Sequence, residues 1–118
     1  MADFGLFIGF GSPVRGRERQ AAKVFSEAME FWARLQQQGE IESFETVFLE
    51  SHGGDISGFT LVRGDRDKLA SIRTSDEFAW LSLRSDLIVE GFGVVGASLG
   101  ERIGTLLQAY NEQVEDLT

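Results

Sequence analysis

The stretch IESFETVFLESHGGDISGFTLVR, residues 41–63, decides the fold. Ile41 to Glu50 is rich in Phe, Val and Thr, side chains that suit a pleated, half-buried surface, and it reads as a strand. Ser51-His52-Gly53-Gly54-Asp55 has loop chemistry, and Ile56 to Arg63 returns to strand composition. So short a connection makes the two strands antiparallel neighbours. Side chains alternate across a strand. Phe44, Thr46 and Phe48 therefore share one face, with Ile41, Val47 and Leu49 on the other; in the next strand Phe59 and Leu61 oppose Ile56, Thr60 and Val62. Both faces of the hairpin are apolar, so water is a poor neighbour for either.

Toward the N-terminus, residues 4–10 alternate again, Phe4, Leu6, Ile8 and Phe10 against Gly5, Phe7 and Gly9, and Gly11-Ser12-Pro13 ends this strand. From about Arg17 to Gln38 the period becomes helical. Ala21, Val24, Phe25, Ala28, Met29, Trp32 and Leu35 fall on one face, and Gly39 is a natural stop. Beyond the hairpin, Asp65 to Arg73 makes a short helical piece. Thr74-Ser75-Asp76-Glu77 spells a capping box, with Thr74 as N-cap and Glu77 reaching back, opening a helix to about Leu87. Phe78, Leu81 and Ile88 lie on one side of that helix, and Trp80, Leu83 and Leu87 lie nearly opposite. Val89 to Ala97 reads as a fourth strand. Ser98-Leu99-Gly100-Glu101 is a second capping-box spelling, ahead of an apolar stripe formed by Ile103, Leu106, Leu107, Tyr110, Val114 and Leu117.

The order β-α-β-β-α-β-α is a split βαβ arrangement, and right-handed crossovers give it a four-stranded antiparallel sheet with helices on one face. The fold class is α+β, a ferredoxin-like βαββαβ domain over residues 1–118 with an added C-terminal helix. The opposite sheet face then needs a cover, and a second sheet is the simplest. The far side of the second long helix needs either the last helix or a partner chain. A homodimer is the expected assembly.

Element order, length, the doubly apolar sheet and the appended helix resemble the dimeric α+β barrel superfamily, over the whole chain and by pattern rather than by a diagnostic motif. The resemblance implies two ferredoxin-like sheets packed face to face. That superfamily includes cofactor-independent monooxygenases, muconolactone-isomerase-like enzymes, YCII-related proteins, haem-handling proteins and stress-responsive proteins, and a fold at this level does not choose among them.

Composition narrows the field. A chain of 118 residues, 42% hydrophobic and 25% charged, buries one real core. The absence of cysteine removes disulfides, thiolate zinc sites and thiol catalysis, and suits a reducing cytoplasm. A net charge of −8 argues against nucleic acid as a partner. The N-terminus lacks a signal-peptide pattern, and no apolar run approaches the roughly 18 residues of a membrane span. Ten phenylalanines beside one tyrosine give a large apolar area with few polar handles.

Two motif spellings fail on context. Gly91-Phe92-Gly93-Val94-Val95-Gly96 matches a dinucleotide fingerprint, but its glycines fall inside a strand, with the helix cap only at Ser98. Gly11 to Gly16 followed by Arg17-Glu18 echoes a phosphate loop with both critical residues replaced. Arg15, Arg17 and Arg19 read as solvated loop arginines at a helix start, with anion attraction as the sharper alternative. No cofactor and no metal are expected.

The lone histidine, His52, with Glu50 nearby and Asp55 past the turn, is the set suited to moving a proton, although a histidine before Gly-Gly is first a polar turn residue. Arg63 is a polar candidate that Asp65 is placed to pair, and Glu45 is a second within the strands. Trp32, Trp80 and Tyr110 read first as packing residues. If a pocket lies between sheet and helices, the rings of Trp32, Trp80 and Tyr110 and the phenylalanines line it, with Phe44, Phe48 and Phe59 as its strand wall. The candidate ligand-binding residues are thus Glu50, His52, Arg63, Phe44, Phe48, Phe59, Trp80 and Tyr110; no catalytic residue is assigned. Three functions fit: a dimer binding a small apolar or acidic organic ligand, a cofactor-independent monooxygenase- or isomerase-like enzyme, and a structural or partner-binding module.

Overall fold

The computed structural model describes residues 2–118, and all statements of structure refer to these residues. Strand β1 (Phe4–Phe10) is followed by helix α1 (Glu18–Gln37), strands β2 (Ser43–Phe48) and β3 (Gly58–Gly64), helices α2 (Arg66–Arg73) and α3 (Asp76–Asp86), strand β4 (Gly93–Ser98) and helix α4 (Glu101–Leu117). The strands form one antiparallel sheet in the order β2-β3-β1-β4.

Register fixes two unlike faces. On the helix side run the cross-strand rows Thr46–Thr60–Ile8–Val94 and Phe44–Val62–Leu6–Gly96. Leu6, Ile8 and Val62 are buried there beneath Phe31, Trp32 and Leu35 of α1, Leu69 and Ile72 of α2, and Phe78 of α3. Rings supply much of this core: Trp32 meets Phe31 edge-on at 4.8 Å and Phe78 at 5.8 Å. Ile41 precedes β2 and drops into the same core at 4% exposure, so it does not share the outer face with Val47. Ion pairs Arg34–Glu77 and Arg84–Glu27 tie α1 to α3 along their exposed edges.

The outer face carries the rows Val47–Phe59–Gly9–Gly93 and Glu45–Leu61–Phe7–Val95. Phe7 stacks on Phe59 at 5.0 Å, and no helix covers them. The glycines open the row: a side chain at Gly9 would meet the Phe7 ring at 3.0 Å.

Both expected capping boxes are corrected. The N-cap of α3 is Ser75, whose hydroxyl accepts the Phe78 N–H at 3.3 Å. Thr74 instead closes α2, its hydroxyl donating back to the Ala70 carbonyl at 3.1 Å, and Glu77 reaches Arg34. At α4 the cap is Gly100, in a positive-φ conformation (φ 54°) that favours glycine, and Ser98 ends β4. Strand β4 begins at Gly93 rather than near Val89, which makes a separate bridge to Pro13.

Helix α4, one of the two expected covers for the far side of α3, does not cover it. Trp80 and Leu83 of α3 and Leu87 at its C-cap are 62–63% exposed, and every residue from 103 to 118 is exposed. The radius of gyration is 16.4 Å, against about 13.5 Å for a compact chain of this length. Helix α4 projects. No helix among the described residues is long and apolar enough to cross a membrane.

Candidate functional site

A cleft of about 540 Å³ opens between the first half of α1 and the helix side of the sheet. Its cause lies in the size gradient along the buried face of α1. The second half carries Phe31, Trp32 and Leu35, which fill the space against Leu6 and Val62. The first half offers Ala21, Ala22, Ser26 and Ala28, too small to reach Ile8 and Phe10. Trp32 and Met29 form the boundary between filled core and cleft, while Ile88, Val89 and Phe92 close the side toward β4.

The mouth is aromatic. Phe48, at the end of β2, is 67% exposed and stands between Phe10 at 6.1 Å and Phe25 at 5.4 Å. The backbone at the mouth is crowded: a side chain at Gly11 would meet the carbonyl oxygens of Glu90 at 2.7 Å and Asp55 at 2.9 Å. Polar groups are few, and several are already engaged. The Thr60 hydroxyl, 4% exposed, lies 2.8 Å from the Thr46 hydroxyl, which also approaches the Met29 sulfur at 3.4 Å. The Ser85 hydroxyl donates to the Leu81 carbonyl at 2.8 Å. Glu18 is the single ionisable residue of the lining, and its carboxylate accepts the Gly16 N–H at 2.9 and 3.0 Å. A site so lined selects by shape and apolar contact, not by charge.

Of the eight residues read from the sequence, the structure brings Phe48 alone to this cleft. Phe44 packs against the core below it. Phe59 lies on the outer face, and therefore on the far side of the sheet. Arg63 also points outward and donates to Glu45 at 3.0 Å, not to Asp65, whose side chain caps α2 by accepting the Lys68 N–H. Trp80 and Tyr110 stand exposed on α3 and α4.

Glu50 and His52 lie beyond the end of β2, in the exposed 49–57 loop. His52 Nδ1 accepts the Gly54 N–H at 3.2 Å. That leaves Nε2 to carry the proton, which it donates to the Ile56 carbonyl at 2.8 Å. The imidazole thus staples its own loop. Arg15, Arg17 and Arg19 are exposed around the start of α1. No cluster of His, Asp or Glu among the described residues is placed to hold a metal ion. Trp32, by its sequence a packing residue or a pocket ring, lines the cleft, whereas the sequence does not single out Phe10, Phe25, Ala28, Met29, Phe92 or Glu18 for a site. The run of alanine and serine on α1 opposite large strand side chains was the available signal.

A second, smaller groove of about 300 Å³ lies between α2 and the β1–β4 edge, flanked by Arg66 and Arg73. Arg66 stacks on the Phe4 ring at 4.8 Å, and Arg73 donates to the Val94 carbonyl at 2.9 Å. Both guanidinium groups thus serve the fold.

No protein-family model matches the chain, and no curated protein does. Solved structures do. A dimeric protein of unknown function and ferredoxin-like fold from Bacteroides fragilis is 12% identical, with a TM-score of 0.57 over 82% of this chain and 97% of its own. SnoaB, a cofactor-independent oxygenase from Streptomyces nogalater, is 16% identical, with a TM-score of 0.56 over 84% of this chain and 95% of its own. A DABB family protein with a ferredoxin-like fold from Mesorhizobium loti is 14% identical, with a TM-score of 0.59 over 82% of this chain and 98% of its own. At such identities the likeness speaks for the fold. This chain has the ferredoxin-like α+β fold.

Proposed function

We propose that this chain is one ferredoxin-like domain that forms a homodimer through the outer face of its sheet and binds a small, flat, uncharged organic molecule in the cleft between α1 and the sheet. The observation that carries the ligand reading is the cleft itself: about 540 Å³ walled by Phe10, Phe25, Phe48, Trp32 and Phe92, with Glu18 as its one ionisable residue. The volume suits a ligand of two or three fused rings. A lone carboxylate in a chain of net charge −8 disfavours an acidic ligand, so the neutral member of the apolar-or-acidic pair is preferred. The dimer reading rests on the uncovered apolar rows through Phe7, Phe59 and Val95, and on the dimeric state of similar folds. A cytoplasmic setting suits a chain without cysteine.

The test is thermal unfolding, followed by calorimetric titration, with a panel of uncharged tricyclic aromatics and quinones beside their carboxylated analogues. A true ligand at 100 times its Kd stabilises the folded state by about 2.7 kcal/mol. Ala28→Trp, which places a ring in the cleft, should abolish binding while the protein stays folded. Binding that survives Ala28→Trp, or a panel with no responder, overturns the reading. Conversion of the bound compound in air would instead assign a cofactor-independent oxygenase.

A further inference from the structure

Helix α4 finds no packing surface in its own protomer. Its apolar residues are exposed to between 41% (Leu106) and 84% (Leu117). Its root, however, is fixed. The Leu99 N–H donates to the Asp3 carbonyl at 2.8 Å, and the Arg102 guanidinium lies over the Phe4 ring at 5.4 Å. A helix of 17 residues standing free in water is marginal by itself, so its apolar face calls for a cover.

The spacing of that face indicates what the cover is. Ile103, Leu106, Tyr110, Val114 and Leu117 are separated by three, four, four and three residues, a pattern that reads the same in both directions about Tyr110, with Leu107 flanking it opposite Gln113. A two-fold contact between identical chains requires such self-complementarity, in which one residue meets a second and the second meets the first. Charge selects the direction. Glu112, Glu115 and Asp116 crowd the C-terminal half, while the N-terminal end is balanced, with Arg102 beside Glu101. Parallel pairing would press the acidic halves together. Antiparallel pairing separates them, brings Glu115 and Asp116 near the partner's Arg102, and opposes the helix dipoles.

We infer that α4 pairs antiparallel with α4 of a second copy of this chain, centred on Tyr110, with Ile103 against the partner's Leu117 and Leu106 against the partner's Val114. Such a pair buries on the order of 1,000 Å², near the lower bound for a specific interface. It is a contact separate from the sheet face and does not rest on the ligand reading.

Because the chain has no cysteine, single introduced thiols report the contact directly. Tyr110→Cys should cross-link to itself under mild oxidation at micromolar protein. Thr105→Cys, on the opposite face of α4, should cross-link at least tenfold less. Mixing Ile103→Cys with Leu117→Cys protein should give the mixed dimer in excess over either self-linked product. Self-linked products in excess would indicate parallel helices and overturn the pairing. So would Tyr110→Cys linking no better than Thr105→Cys, or linking only to Leu83→Cys on α3. Circular dichroism of each variant confirms that the helices are retained, and wild-type ligand binding is measured separately.

Discussion

Val95→Asp is the sharpest probe of the outer sheet face. Val95 sits in the row with Phe7 and Leu61 and is 55% exposed in the single chain. A valine so exposed presents roughly 80 Å² of apolar surface, about 2 kcal/mol at ~25 cal/mol per Å². A two-fold interface contains the residue twice, so full burial by a partner is worth about 4 kcal/mol per dimer. Removing it should raise the dissociation constant by roughly a thousandfold. Desolvating two carboxylates adds to that, making the figure a floor. Within the isolated chain the same change should cost only about 1 kcal/mol, because the side chain faces water there. Sedimentation velocity over a hundredfold concentration range should therefore show a lower assembly mass for Val95→Asp at micromolar protein, with the far-ultraviolet spectrum unchanged. A variant whose mass and concentration dependence match wild type would refute burial of this face.

Two further outcomes follow from local geometry. Ser75→Ala should lower unfolding free energy in urea by about 1 kcal/mol, since Ser75 caps α3, whereas Thr74→Ala should cost less; the reverse order would restore Thr74 as the cap. Gly11→Ala should weaken ligand binding in calorimetry and destabilise the fold by about 1–3 kcal/mol, because the new methyl meets two backbone oxygens at the cleft mouth, and an unchanged variant would show that the mouth yields freely.

The backbone was largely legible in the sequence because each element announces its own period. Phe4 to Phe10 alternates cleanly, α1 repeats at 3.6, and the 41–63 stretch turns back on itself; the structure follows all three. The element ends were harder to read. Ser75 and Thr74 are chemically equivalent as caps, and only the three-dimensional path of α2 into α3 decides between them. The cleft was less legible still. A pocket is a missing volume, and it depends on which small residue of α1 faces which large residue of the sheet. Phe59 and Phe48 look alike in composition, yet the pleat sends Phe59 to the outer face and Phe48, at the end of β2, to the helix side and the cleft mouth. His52 drew attention as the lone histidine, but hydrogen bonds to Gly54 and Ile56 give its ring a structural task.

The cleft and α4 sit at opposite ends of the same strand. Phe10 and Gly11 border the cleft, while Phe4, at the other end of β1, anchors the root of α4 through Arg102. Six residue steps of extended chain separate them, about 20 Å. That distance exceeds the range over which substitutions ordinarily feel one another. Changes in how copies associate through α4 can therefore accumulate without retuning what the cleft admits, and the cleft can be reshaped without loosening the assembly. The molecule is thermodynamically modular along its own sheet, with β1 as the rigid spacer between two independently adjustable ends.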